Sequence, residues 1–73
     1  MTHEQRKRIE WIEENLQGHC QAFREGNTGY GRSTSVDNLV SELREHNPER
    51  ADYWQRIAVR AQREGWARGG PTL

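Results

Sequence analysis

The chain has 73 residues, equal numbers of acidic and basic side chains, and a mean hydropathy of −1.20. A chain of this length forms one domain with a thin core, and zero net charge means that no bulk field draws it onto nucleic acid. It has no apolar run long enough to span a membrane and no secretory signal at its amino terminus, and its lone Cys20 can form no internal disulfide. We therefore expect a single-domain cytoplasmic protein.

The first helix is predicted from about residue 2 to about residue 23. Thr2 is a suitable N-cap, and Gln5, three residues later, completes a capping box. Gly18 could end the helix early or bend it, and Gly26 is the later stop. Apolar side chains recur along this segment at steps of three and four residues, which is one face of a helix: Ile9, Ile12, Leu16, Cys20 and Phe23.

Glycines and small polar residues fill the segment 25–34, which we predict to be a flexible loop. A second helix is predicted over residues 35–46, capped by Thr34 or Ser35. Its apolar residues follow the i, i+3, i+4, i+7 pattern of a helix that packs on a core: Val36, Leu39, Val40 and Leu43.

A third helix is predicted over residues 48–64, with Asn47 as its cap and Pro48 in its first position, where a missing amide hydrogen costs nothing. Its inner face would carry Trp54, Ile57, Ala58 and Ala61. Gly65 is the expected stop, Trp66 is expected to fold back onto the third helix, and residues 67–73 are expected to form a loose tail.

The fold class is therefore all-α. It is a small three-helix domain with a helix-turn-helix-like second and third helix and a Gly-rich loop after the first helix.

The chain shows no catalytic signature. Cys20 and His19 are neighbours that point in different directions on a helix, and no oriented base accompanies them. The histidines lack the paired spacing of metal ligands, and the Gly-rich segment lacks the Gly-Lys-Ser/Thr ending of a nucleotide-binding loop. We predict a non-enzymatic protein with no metal, no cofactor and no small-molecule substrate.

Several residues are candidates for binding a partner protein. Trp11 points away from the apolar face of the first helix, and tryptophan is among the commonest interface anchors; packing under the loop is the alternative. Glu10, Glu13 and Glu14 form an acidic face that is either solvated or docks on a basic surface. The residues predicted to bind a partner are Trp11, Glu10, Glu14, Tyr30 and Arg32 on the loop, and Tyr53 on the flank of the third helix.

A second set of residues could face nucleic acid. Arg56, Arg60 and Arg63 recur at i, i+4, i+7 opposite the inner face of the third helix, with Arg50 and Gln55 beside them. In a helix-turn-helix this side would enter the major groove, where Arg bonds guanine and Gln bonds adenine. The alternative is a solvated surface, partly neutralised by Asp52 and Glu64. Since only three or four phosphates could be met, binding would be weak without dimerisation.

A short, neutral, arginine-rich helical chain with a loop and no reaction site resembles the small proteins of lytic bacteriophages that bind bacterial RNA polymerase and shut off host transcription. The likeness is one of overall size and style and covers the whole chain, so no residue role is carried over from it. It implies a phage-encoded regulator that acts as a monomer in the host cytoplasm. It would bind the polymerase, with the large subunit as the expected partner, and block sigma factor or promoter DNA. The main alternative is a dimeric helix-turn-helix regulator that reads an operator with its third helix. A third possibility is an accessory subunit or antitoxin-like partner, which would use the same protein-binding surface for another target.

Overall fold

The computed structural model describes residues 2–27 and 29–67, and it shows three α-helices in succession. Helix α1 spans His3–Arg24, α2 spans Tyr30–His46 and α3 spans Pro48–Ala67. The predicted all-α, three-helix fold is confirmed. None of the three helices is long and apolar enough to cross a membrane.

Both ends of α1 follow local signals in the sequence. The hydroxyl of Thr2 accepts the amide of Gln5 at 3.1 Å, and the Gln5 side chain accepts the amide of Thr2 at 2.9 Å, which is the predicted capping box. Gly26 follows the helix with a φ of 95°, a conformation that favours glycine. The amide of Asn27 then donates to the carbonyl of Ala22 at 2.9 Å, as in a Schellman motif. The expected stop at Gly26 is confirmed.

The predicted loop over residues 25–34 extends too far, because α1 ends at Arg24 and α2 already begins at Tyr30. Neither Thr34 nor Ser35 caps it: the N-cap is Gly29, which supplies no side-chain hydrogen bond. Ser35 lies inside the helix, and its hydroxyl donates to the carbonyl of Gly31 at 3.0 Å. A Ser within a helix commonly makes this backward bond instead of capping.

Contacts with the other helices account for the additional turn at the start of α2. Arg32 donates from Nη1 to Nδ1 of His19 on α1 at 2.8 Å, and Ser33 accepts a hydrogen bond from Gln62 on α3 at 2.9 Å. These bonds join residues that are far apart in sequence. Local propensity therefore cannot predict this helix start.

The start of α3 is as predicted, but its end is not. Asn47 separates α2 from α3, and its side-chain oxygen accepts the amide of Arg50 at 3.2 Å, with Pro48 in the first helical position. The expected stop at Gly65 is wrong: Gly65 is buried inside the helix, which continues to Ala67.

Trp66, expected to fold back onto α3, instead lies within this helix with 48% of its surface exposed. Residues 68–73 of the predicted tail lie outside the described residues.

Polar contacts between the helices show how they run relative to one another. Along the contacts of α2 with α1 and with α3, the residue numbers of α2 decrease while those of the partner helix increase. Helix α2 is therefore antiparallel to both. Contacts of α1 with α3 ascend together, so these two helices are parallel. The paired residues are Arg8–Glu42 and His19–Arg32 between α1 and α2, Arg44–Asp52 and Ser33–Gln62 between α2 and α3, and Glu13–Arg50 and Arg24–Glu64 between α1 and α3.

The core lies along the axis of this bundle and matches the predicted inner faces. Ile9, Leu39, Trp54 and Ile57 pack against it half-buried. The buried apolar side chains are Ile12, Leu16, Cys20, Phe23, Val36, Val40, Leu43, Ala51, Ala58 and Ala61. Exposed ion pairs contribute about 0–1 kcal/mol each, so this core supplies most of the stability.

Glu13 makes the most connected polar contact between α1 and α3. One carboxylate oxygen accepts from Nε of Arg50 at 2.6 Å and from the indole nitrogen of Trp54 at 2.9 Å. The prediction that Glu13 belongs to a solvated acidic face is therefore wrong.

We predict that Glu13→Ala lowers the free energy of unfolding by about 1–2 kcal/mol, because it leaves two half-buried donors without their acceptor. Glu14→Ala is the matched control: Glu14 is exposed and makes no ion pair among the described residues, so a change within about 0.5 kcal/mol is expected. Urea unfolding followed by circular dichroism measures both. Equal effects of the two substitutions would contradict this assignment.

Candidate functional site

Four of the predicted partner-binding residues share one side of the bundle. Trp11 is 46% exposed, and Glu10 and Glu14 are exposed beside it. At about 100° per residue, the outward arc of α1 from Glu13 to Trp11 covers roughly 160° and carries both of these glutamates. Tyr53 lies on α3 at the height of Glu13 and is also 46% exposed. We call the surface formed by Glu10, Trp11, Glu14 and Tyr53 the helix-one face.

The ring of Trp11 is held in place by an arginine. The guanidinium carbon of Arg8 lies 4.4 Å from the centre of the Trp11 ring, a cation–π distance. Arg8 is itself fixed by two hydrogen bonds to Glu42 on α2, from Nε at 2.5 Å and from Nη2 at 2.8 Å. These bonds hold the pKa of Glu42 below its ordinary 4.5. Trp11 is therefore exposed but restrained.

Tyr53 is restrained in the same way. The guanidinium carbon of Arg50 lies 4.6 Å from the centre of the Tyr53 ring, and Arg50 is fixed by Glu13 on α1. The ring of Trp54 meets that of Tyr53 edge-on, with 5.4 Å between centres and 83° between planes. Aromatic rings held before binding lose less conformational entropy when they meet a partner.

The repeated arginine–aromatic arrangement follows a spacing in the sequence that the prediction of single binding residues did not use. In each case an arginine precedes the aromatic residue by three positions: Arg8 and Trp11 in α1, and Arg50 and Tyr53 in α3. Side chains at this spacing are neighbours on a helix. The acid that fixes each arginine comes from another helix, so only the structure reveals it.

The outward arc of α1 carries both signs of charge, since Arg6 and Lys7 lie on it about one turn before Glu10. Arg8 and Arg50 are paired with Glu42 and Glu13, whereas Glu10 and Glu14 make no ion pair within residues 2–27 and 29–67. Two unpaired carboxylates between two restrained aromatic rings are complementary to a basic surface with apolar pockets.

The prediction that Tyr30 and Arg32 lie on a loop is wrong, because both residues belong to α2. Arg32 is half-buried in α2 and bonded to His19 on the seam with α1, about two turns along α1 from Trp11. Its Nε is buried and meets no acceptor among the described residues. Tyr30 is the first residue of α2, and its side chain lies outside what the structure describes.

Arg56, Arg60 and Arg63 are exposed along α3, and we call them the helix-three stripe. Arg56 donates to the backbone carbonyl of Asp52 at 3.4 Å. In the described part of the chain, Arg60 and Arg63 have no ion pair. The stripe therefore presents three cations without acidic partners.

The neighbours predicted for this stripe are engaged elsewhere. Arg50 is bound to Glu13, and the side-chain oxygen of Gln55 accepts from Arg44 at 2.7 Å. The predicted neutralisation of the stripe is wrong, since Asp52 pairs with Arg44 at 2.7 Å, and Glu64 pairs with Arg24 at 3.4 Å.

Within residues 2–27 and 29–67, no three His, Cys, Asp or Glu side chains are grouped so that they could hold a metal ion. Comparison of the chain with protein-family models, with curated proteins and with solved structures finds no match.

The contact between His19 and Arg32 predicts a pH dependence of stability. Nδ1 of His19 accepts a hydrogen bond from Arg32 and must be unprotonated to do so. Burial, and then the charge of Arg32, lower the pKa of His19 below its ordinary 6.5. Between the lowered folded-state pKa and 6.5, the unfolded chain binds the proton more readily. Stability from this group is therefore present above pH 6.5 and is lost as the pH falls through that window.

Urea unfolding from about pH 7.5 down to about pH 5 should show a larger loss of stability for the native chain than for His19→Gln, which does not titrate. An NMR titration of the His19 ring should give a pKa below 6.5. A value at or above 6.5 would contradict the assignment of the contact.

Proposed function

We propose that this chain is a non-enzymatic interaction protein that docks its helix-one face onto a basic surface of another protein. The observation that carries the proposal is the restrained exposure of Trp11: the residue is 46% exposed, yet its ring stacks on an arginine that is fixed from a second helix. Interface hot spots are rich in Trp and Tyr. A partner that covers Trp11 would bury the apolar surface that its contact with Arg8 leaves exposed.

The partner proposed is bacterial RNA polymerase, with its large subunit as the first candidate. This part of the proposal follows from the resemblance to small lytic-phage proteins. A surface that holds promoter DNA carries positive charge because it neutralises phosphates. The exposed carboxylates of Glu10 and Glu14 on the helix-one face are complementary to such a surface. The protein would act stoichiometrically, as a phage-encoded regulator that occludes sigma factor or promoter DNA and shuts off host transcription.

Binding of the purified chain to purified RNA polymerase, measured by biolayer interferometry, tests this proposal. We expect Trp11→Ala and Tyr53→Ala each to weaken binding about tenfold or more, as for hot-spot aromatics. Arg60→Ala, on the helix-three stripe, is the control and should bind as the native chain does. Added salt should weaken binding, because Glu10 and Glu14 are exposed charges.

Function is read out separately by transcription from a linear promoter template. The native chain should inhibit when added before the polymerase meets the promoter, and Trp11→Ala should inhibit less. The proposal fails if the polymerase is not bound, or if both aromatic substitutions leave its affinity unchanged.

A DNA-binding regulator remains the second candidate, and the unpaired helix-three stripe favours it. It predicts that Arg60→Ala weakens binding to DNA, steeply dependent on salt, and that Trp11→Ala does not. The helices of a DNA-binding helix-turn-helix cross at about 90–120°. Here α2 and α3 touch near the turn, at Arg44 and Asp52, and again far from it, at Ser33 and Gln62. That side-by-side course weighs toward the protein-binding proposal.

A further inference from the structure

A second surface, formed by α2 and α3, has a groove lined by both apolar and polar side chains. The groove has a volume of about 260 Å³. Val59 stands on its α3 rim and is 45% exposed. A shallower depression of about 350 Å³ lies on the other side of Val59, between Asp52 and Arg56. The apolar lining of the groove consists of Phe23, Val36, Val40, Ala58 and Val59. Val59 is thus a ridge between two hollows.

Helix α3 buries little of its own apolar surface. Its buried residues are all alanine or glycine: Ala51, Ala58, Ala61 and Gly65. Val59 and Trp66, seven residues apart and therefore on one side of the helix, remain 45% and 48% exposed. A domain of this size has a thin core, and covering this side of α3 would add to it.

The charges around the groove indicate what covers it. Asp37 and Arg44 line the groove, and Asp52 and Arg56 line the adjoining depression. Arg44 and Asp52 already pair with each other within the chain, and the remaining Asp37 and Arg56 are opposite in sign, so the surface complements neither a purely acidic nor a purely basic partner. Asp37 and Arg56 make no ion pair among the described residues. A symmetric interface brings each surface residue of one copy against a complementary residue of the other, and this mixed set provides both signs.

We propose that the chain forms a symmetric homodimer through this surface. Val59 of each copy inserts into the α2–α3 groove of the other, and Asp37 of one copy pairs with Arg56 of the other. The helix-one face remains outside this interface. The dimer goes beyond the proposed function and replaces the monomer that the resemblance implied.

Sedimentation equilibrium of the purified chain, from micromolar to millimolar concentration, tests the dimer. The native chain should show a monomer–dimer equilibrium. Val59→Arg should weaken it about tenfold or more, because a buried unpaired charge replaces the apolar ridge. Tyr53→Ala, an equally exposed position on the helix-one face, should dimerise as the native chain does. Circular dichroism should show that all variants keep their helices.

Charge exchange tests the arrangement without altering the apolar residues that line the groove. Asp37→Arg and Arg56→Asp should each weaken the dimer, and the double substitution should restore it. A native chain that is monomeric throughout would overturn the proposal, as would a Val59→Arg variant that dimerises normally or a double substitution no better than either single one. Since the experiment uses the chain alone, its outcome is independent of polymerase binding.

Discussion

One oxygen of the Glu13 carboxylate accepts hydrogen bonds from both Arg50 and Trp54, and through them it joins α1 to α3. The same bond turns Arg50 so that its guanidinium covers Tyr53. The contact that sets the height of the two parallel helices therefore also places an exposed aromatic ring. Arg8 repeats the arrangement between α1 and α2, where its pairing with Glu42 accompanies its stacking on Trp11. Fold and candidate site depend on the same polar links.

The packing of α3 explains why apolar side chains of this helix remain exposed to solvent. Alanine and glycine on its buried side let the neighbouring helices approach closely, and the core is filled mainly by larger residues of α1 and α2 such as Phe23, Leu16 and Leu43. Of the large apolar side chains of α3, Trp54 and Ile57 are half-buried against the core, whereas Tyr53, Val59 and Trp66 are exposed. Exposed apolar groups of this kind, with charged residues around them, commonly mark interaction sites. Both proposed interfaces use this surplus, one with Tyr53 and the other with Val59.

The sequence predicted those features of the fold that depend on local signals. The caps at Thr2 and Asn47 and the stop at Gly26 involve residues within a few positions of each other, and helical periodicity is sufficient to predict the core faces. The early start of α2 could not be predicted, because it depends on bonds from Arg32 and Ser33 to other helices. The end of α3 was wrongly predicted at Gly65 for the same reason. Glycine is a local stop signal for a helix, but Gly65 is buried within α3.

For the candidate site, periodicity placed Trp11, Glu10 and Glu14 on the exposed side of α1, but ion-pair partners could not be predicted. Asp52 has Arg56 four residues away in sequence, yet its carboxylate pairs with Arg44 across the α2–α3 seam. Which acid meets which arginine depends on the neighbouring helix.

Photo-crosslinking to purified RNA polymerase, from a photoreactive residue at Gln17 on α1, Ser41 on α2 or Arg63 on α3, tests the central claim most directly. All three positions are exposed. The account predicts a crosslink from Gln17, beside the helix-one face; crosslinks from Ser41 or Arg63 but not from Gln17, or none at all, would contradict it.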